Sequence, residues 1–128
     1  MDTTQTQRNK KIPVLREEIS NSTNTAILEN HNQSPRKMRL VADLVKGKKI
    51  PAALIALQFT PKRAAEPLIK LIKSAVANAN VQGKNQEDLT VQSITVESAG
   101  MLKRYMPRAF GRASLIRHRK SRVKVTLV

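Results

Sequence analysis

The stretch that decides the fold is Gly100–Arg122, GMLKRYMPRAFGRASLIRHRKSR, near the C-terminal end of a 128-residue chain. It contains eight lysines and arginines and no Asp or Glu. Pro107 and Gly111, residue types typical of turns, lie near its middle. Such a segment cannot form a buried core, because charged side chains are rarely buried without partners. The sequence therefore predicts an extended arm, Gly100–Arg122, that meets a polyanion.

Two segments with a β pattern flank the arm. Leu89–Ser98 is rich in β-branched residues, and Arg122–Val128, RVKVTLV, alternates cleanly between apolar and polar side chains. The alternation changes phase between Val91 and Ile94, which predicts a β-bulge or burial on both faces. Together the two segments predict one long antiparallel hairpin, with its turn at Pro107–Gly111 and a reach of roughly 25 Å beyond the sheet at about 3.3 Å per residue.

The arm has few apolar groups to bury, while ordering it costs roughly 1 to 2 kcal/mol of backbone entropy per residue. We therefore expect the arm to be mobile when the protein is alone and fixed when it is bound.

Residues 1–23 are polar, with few apolar side chains, and predict a flexible tail that could include a short helix at Val14–Ile19. Residues 24–128 are predicted to form a single globular domain that carries the arm, with an edge strand at residues 24–33.

Three helices are predicted between these strands. Ser34–Pro35 supplies an N-cap and a first-turn proline for a helix that runs to Lys46, before Gly47. Pro51 opens a short, largely buried helix that ends at Leu57. Thr60–Pro61 starts a third helix that runs to about Val81. The predicted fold class is α+β: three helices packed on a small three-stranded antiparallel sheet with a long protruding β-hairpin.

Helical spacing also predicts which side chains are buried. On the first helix Leu40 and Leu44 should widen an inner face, and Pro67 should kink the first turns of the third helix. Asn78 and Asn80 suit end caps or surface positions better than base readers. The remaining apolar positions predicted on the inner faces are Met38, Val41, Ala42, Val45, Ala52, Ala53, Leu54, Ile55, Leu57, Ala65, Leu68, Ile69, Ile72, Ala75, Val76 and Ala79.

A net charge of +15 and a pI near 11.1 indicate a highly anionic partner, and nucleic acid is the first candidate. A membrane is disfavoured, because the longest apolar run, Ala52–Leu57, is far shorter than the roughly 20 residues of a spanning helix. The N-terminal segment lacks the apolar stretch of a secretory signal peptide, which favours an unsecreted protein. The absence of cysteine excludes disulfides and thiolate metal sites.

The candidate nucleic-acid-binding residues share a positive charge or a place at the first helix start, where backbone N–H groups can hold a phosphate. They are Ser34, Arg36, Lys37, Arg39, Lys46, Lys48, Lys49, Lys103, Arg104, Arg108, Arg112, Arg117, Arg119, Lys120 and Arg122. Tyr105 and Phe110 could stack on splayed bases or pack against a neighbouring protein, and both options stay open. His31 and His118 lie in different segments without a catalytic or metal-ligand motif, so we expect no enzyme, cofactor or metal site.

Three motifs carry a family resemblance: SPRKMRLVADLVKGK from Ser34, SAVANAN from Ser74, and KRYMPRAFGRASLIRHRKSRVKV from Lys103. In this order and spacing, over residues 26–128, the chain resembles the bacterial-type twenty-second protein of the large ribosomal subunit. Phe110 stands where that family commonly has a polar or basic residue, and Arg122 where it often has histidine. The segment Glu29–Asn32 is also less basic than is usual there.

The resemblance implies a structural protein that binds large-subunit ribosomal RNA, contacts neighbouring large-subunit proteins and supports early assembly. It also implies that the arm penetrates the RNA and that its tip lines the ribosomal tunnel through which the nascent peptide leaves. There the tip would meet the nascent peptide and influence macrolide sensitivity. The implied tip residues are Met106, Pro107, Arg108, Ala109, Phe110 and Gly111. A ribosome in the cytoplasm is the expected location, with an organellar ribosome left open. The residues alone also allow an architectural DNA-binding protein with a basic β-arm and, more weakly, a membrane-active cationic domain.

Overall fold

The computed structural model describes residues 24–128 of the chain. Within this range the elements, in chain order, are β1 (Thr25–His31), α1 (Pro35–Ala42), α2 (Ile50–Gln58), α3 (Ala65–Val81), β2 (Val91–Pro107) and β3 (Ala113–Leu127). For these residues the predicted α+β class, with three helices and a three-stranded antiparallel sheet, is confirmed. The predictions of a flexible tail at residues 1–23 and a short helix at Val14–Ile19 lie outside the described residues.

The sheet has the strand order β1–β3–β2, which places β3 in the centre and confirms an edge strand near residues 24–33. β1 pairs with β3 from Thr25 opposite Thr126 to His31 opposite Ser121. On β3, Val123, Val125 and Leu127 point inward and are buried, while the residues between them face outward or are less buried. The clean alternation in the sequence of β3 thus reflects a strand with one buried face.

β2 and β3 form the predicted long hairpin, pairing from Val91 opposite Leu127 to Pro107 opposite Ala113. A register shift between Val91 and Ser93 shows that, of the two predicted alternatives, a β-bulge accounts for the change of phase. A second shift lies between Ser98 and Met101, where two β2 residues face one residue of β3. One of the two is Gly100, whose φ of 95° favours glycine. Beyond this second bulge the arm continues as a two-stranded ribbon, because the pairing of β1 stops at Ser121.

The hydrophobic core lies between the inner face of the sheet and the three helices. α3 contributes the largest apolar stripe, and its Leu68, Ile72, Ala75 and Ala79 are fully buried. Asn78, on the exposed side of α3, donates an Nδ2–H to the Thr25 carbonyl oxygen at 2.9 Å. Asn78 therefore links α3 to the edge strand. The sequence predicted only a surface or end-cap position for it.

α1 ends at Ala42, four residues before the predicted end, and the next residues form turns. The Leu44 and Val45 amides bond the carbonyl groups three residues earlier, which tightens the chain and returns Val45 to the core. Leu40 and Leu44 are exposed, so the prediction that they widen the inner face is wrong. Gly47 has a φ of 76° and donates its N–H to Val91, joining this turn to β2.

The prediction of a largely buried second helix is also wrong in part. α2 buries one stripe, Ile50, Ala53 and Leu57, against the core. Ala52 and Ile55 on its other side are exposed. An almost uniformly apolar segment carries no periodicity, and its sequence therefore cannot indicate which side faces water.

α3 begins at Ala65, and the predicted start at Thr60–Pro61 is wrong. The Thr60 hydroxyl donates instead to the Ala56 carbonyl oxygen at 2.7 Å and closes the preceding helix. Pro67 consequently falls in the first turn of α3, where its missing N–H removes no intrahelical bond, and the basis for the expected kink disappears. On the exposed side of α3, Lys70 Nζ lies 2.9 Å from Glu66 Oε1 and forms an ion pair one helical turn apart.

Candidate nucleic-acid interface

The arm presents its cations on an exposed ribbon. Lys103 and Arg117 lie directly opposite each other across the two strands, and both side chains are exposed. Like charges in this position destabilise a strand pair, and the arm contains no acidic side chain that could offset them. A bound polyanion would offset this repulsion. The paired strands of the ribbon are therefore more stable when phosphates lie beside them.

The two faces of the ribbon mix charged and apolar groups. Cross-strand pairing places Met101, Lys103 and Tyr105 on one face with Arg119, Arg117 and Leu115. It places Leu102, Arg104 and Met106 on the other face with His118, Ile116 and Ser114. Each face therefore offers cations for phosphates together with flat or flexible apolar groups for bases, as nucleic-acid-binding ribbons do.

The tip of the arm is a short closed loop, Arg108–Arg112, that includes a 3₁₀ turn at Ala109–Gly111. The Arg108 amide donates to the Arg112 carbonyl oxygen at 2.6 Å, and Arg108 Nε donates to Ser114 Oγ at 3.1 Å. The turn thus lies within one residue of the predicted Pro107–Gly111 position. All six predicted tip residues are exposed.

A cleft of about 1120 Å³ lies between the lower part of the arm, the start of α1 and the loop before α3. We call it the basal cleft. The predicted residues that line it are Ser34, Lys37, Arg117, Arg119 and Lys120. The fold thus brings Lys37 of the first-helix motif and Arg117 of the arm, 80 residues apart in sequence, to one cationic concave surface.

Lys62 and Arg63 also line the basal cleft, although the sequence analysis did not single them out. Both are exposed in the loop before α3. A signal for them existed, because Thr60-Pro61-Lys62-Arg63 repeats the pattern of Ser34-Pro35-Arg36-Lys37.

The start of α1 can receive an anion. Ser34 is the N-cap residue and accepts the Met38 amide on its carbonyl oxygen at 3.1 Å, but its side chain makes no capping bond within the described part of the chain. The first turn carries no acidic residue, and Pro35 occupies its first position. Ser34 and Lys37, which line the basal cleft, therefore have no first-turn carboxylate beside them that would compete with a phosphate.

Several predicted residues lie outside the basal cleft. Lys46, Lys48 and Lys49 are exposed in the connection from α1 to α2, and Lys49 bridges to Thr90, at the end of the sheet remote from the arm. Arg36 is exposed but does not line the cleft. These four cations are therefore separate from the surface that lines the basal cleft.

Arg122 and Arg39 also have partners within the protein. Arg122 Nη2 lies 3.2 Å from Glu29 Oε1 on β1, which neutralises part of its charge. Arg39 Nε and Nη2 both donate to the Val96 carbonyl oxygen, at 3.2 and 3.0 Å, and thereby attach α1 to β2 just below the second bulge. Arg39 therefore positions the strand that leads into the arm.

This attachment gives a testable expectation. Replacing Arg39 with Lys keeps the charge but removes the two-pronged contact, and we expect it to lower the free energy of unfolding by about 1 to 2 kcal/mol, since a half-buried bond from a charged donor is lost. Urea unfolding of the full chain would measure the effect. Arg36→Lys is the matched control and should change stability by less than about 0.5 kcal/mol. Equal stability of both variants would mean that the Val96 contact contributes nothing.

A second, smaller cavity of about 500 Å³ lies between β1 and α3, beside His31 and Arg63. Glu66 and Lys70 also line it, and the hydrogen bond and charge of Lys70 lower the pKa of the Glu66 carboxyl below its ordinary value. Among residues 24–128, no group of three His, Asp or Glu side chains could hold a metal ion. The helices of this part of the chain include none long and apolar enough to cross a membrane.

Comparison with known proteins agrees with the motifs. The family model described as ribosomal protein L22p/L17e matches residues 26–128. The chain is 50% identical to the large ribosomal subunit protein uL22 of Herpetosiphon aurantiacus, over 78% of this chain and 89% of that protein. It is 54% identical to the uL22 of Trichlorobacter lovleyi, over 73% and 84% of the two chains. For the uL22 of Pelobacter propionicus the identity is 49%, over 80% and 94%.

Proposed function

The chain belongs to the ribosomal protein L22p/L17e family, and on that premise we propose that its arm and basal cleft contact separate segments of large-subunit ribosomal RNA, with the arm tip in the wall of the exit tunnel. Membership makes it a structural constituent of the large ribosomal subunit that binds ribosomal RNA alongside other ribosomal proteins. The same membership gives it a structural rather than a catalytic role.

The exposed acid-free ribbon is the observation that carries the proposal. Its opposed cations, Lys103 and Arg117, favour an arm enclosed by phosphates over one that projects into water. The basal cleft lies at the foot of this ribbon and adds Lys37, Lys62 and Arg63. A protein that holds one RNA segment along the arm and another in the cleft joins the two, which is how it would support subunit assembly.

The RNA-binding part of the proposal is tested by salt resistance. We expect the full chain to remain with large subunits through washes of high ionic strength. Salt weakens each phosphate contact, but an arm inserted between RNA segments is also held by its shape. Recovery of the chain in the ribosome-free fraction at moderate salt would contradict the proposal. We propose that residues 24–128 bind the RNA as one domain, with the arm as an extension of it.

The tunnel part needs a test at the tip. A photoreactive residue at Ala109, which is exposed in the 3₁₀ turn, should cross-link to nascent chains long enough to reach the tip and leave shorter ones unlabelled. The same probe at Gln86, in the exposed loop between α3 and β2, is the matched control and should label no nascent chain. A position of the tip in the tunnel wall would be contradicted if short and long nascent chains were labelled equally. Equal labelling from the probe at Gln86 would contradict it as well.

The DNA-binding alternative rests on the charge and the β-arm alone, and both features suit ribosomal RNA equally well. Family membership favours the ribosomal function. A competition experiment separates the two: ribosomal RNA should displace duplex DNA from the full chain, and retention of the DNA would favour the alternative.

A further inference from the structure

Phe110 is an apolar residue that the protein does not use for its own folding. Its relative exposure is 101%, and its backbone lies in the left-handed region with φ 58° and ψ 33°. Bulky side chains rarely adopt this conformation, which glycine and asparagine accept readily. Both the exposure and the backbone disfavour phenylalanine here, so the ring must be explained by a contact outside the chain.

The surroundings of the ring indicate the chemistry of that contact. Arg108 and Arg112 flank Phe110 two residues away on either side, and both are exposed. The bond from the Arg108 amide to the Arg112 carbonyl closes the loop, so the ring projects from a defined position between two cations. The single side-chain bond from Arg108 to Ser114 leaves most donors of that guanidinium available.

We propose that Phe110 is a stacking platform for one unpaired base of large-subunit ribosomal RNA, with Arg108 and Arg112 on the phosphates at either side of that nucleotide. The inference rests on the proposed insertion of the arm into this RNA. Aromatic rings beside arginines bind unstacked bases in this way. A nascent peptide is a weaker candidate for the ring, because its charge varies with its sequence while the two flanking cations are permanent.

The experiment uses large subunits assembled with the parent chain, with Phe110→Tyr and with Phe110→Asn. Tyrosine keeps an aromatic ring, whereas asparagine removes it and still tolerates the left-handed backbone. We expect base-directed chemical probing to find one base near the arm that is protected with Phe110 and with tyrosine. Its reactivity should rise at least about five-fold with asparagine, since stacking on an aromatic ring is worth roughly that factor or more.

The possible failures can be distinguished by a second readout, hydroxyl-radical cleavage of the RNA backbone. Persistent backbone protection by all three chains, without any base whose reactivity depends on the ring, would overturn the stacking proposal and leave the arm in the RNA. Absence of backbone protection even with the parent chain would overturn the insertion of the arm itself. A photoreactive residue at position 110 that labels nascent chains and no RNA would assign the ring to the peptide and also overturn the proposal.

Discussion

Replacing four exposed arm cations with glutamine is expected to weaken binding to large-subunit ribosomal RNA by roughly 200- to 1,000-fold at about 0.15 M salt. The four residues are Lys103, Arg104, Arg117 and Arg119. Each lost phosphate contact lowers the salt slope by about 0.7 to 0.9 log units, and four such losses give the expected factor at this salt concentration. Filter binding of the full chain over a salt series would measure both the affinity and the slope.

The matched control for this variant replaces Lys73 and Lys84, which are exposed but lie on neither the arm nor the basal cleft. It should keep a salt slope close to that of the parent chain. The four-residue variant should remain folded, because all four side chains lie outside the hydrophobic core. An unchanged slope in the arm variant, or an equal loss per residue in the control, would mean that net charge rather than the arm determines binding.

The second large effect concerns stability. Ile72→Ala removes a fully buried side chain from the inner stripe of α3, and we expect it to lower the free energy of unfolding by about 2 to 5 kcal/mol. Urea unfolding of the full chain, followed by circular dichroism, would measure the change. Such a loss is a large part of the stability of a domain of this size.

Leu115→Ala is the matched control for Ile72→Ala, because Leu115 lies on the ribbon and is exposed. We expect its effect to stay below about 0.5 kcal/mol. A loss at Leu115 as large as that at Ile72 would show that the arm belongs to the cooperative core. The proposed division between a domain and an arm that depends on its partner would then be wrong.

The sequence predicted the elements whose pattern has one clear period. β3 alternates because one of its faces is buried against the helices, and α3 repeats its apolar residues at helical spacing because one of its sides is buried in the same core. The arm was predictable from charge, since no fold buries eight cations without acids. These features are local, and each can be recognised from neighbouring residues alone.

The features that the sequence did not predict depend on contacts between distant residues. Ile55 is exposed because of how α2 lies on the core, which its uniform composition cannot show. Arg39 is part of the cationic surface, but it also donates hydrogen bonds to the carbonyl oxygen of Val96, which is 57 residues away in the sequence. The basal cleft forms only because the hairpin places Arg117 on the same cleft as Lys62, and their separation in the sequence gives no sign of this.

The second bulge of the hairpin has a consequence for how the tip can change its reach. The extra residue lies on β2 alone, and beyond it the two strands pair residue for residue from Met101 opposite Arg119 to Pro107 opposite Ala113. Removing one residue from each strand of the ribbon would shorten it by about 3.3 Å and exchange its two faces, whereas removing two from each would shorten it by about 6.6 Å and preserve them. The length of the arm can therefore change without exchanging its faces only in steps of two residues per strand. A homologue fitted to a narrower or wider RNA channel should differ in arm length by such steps.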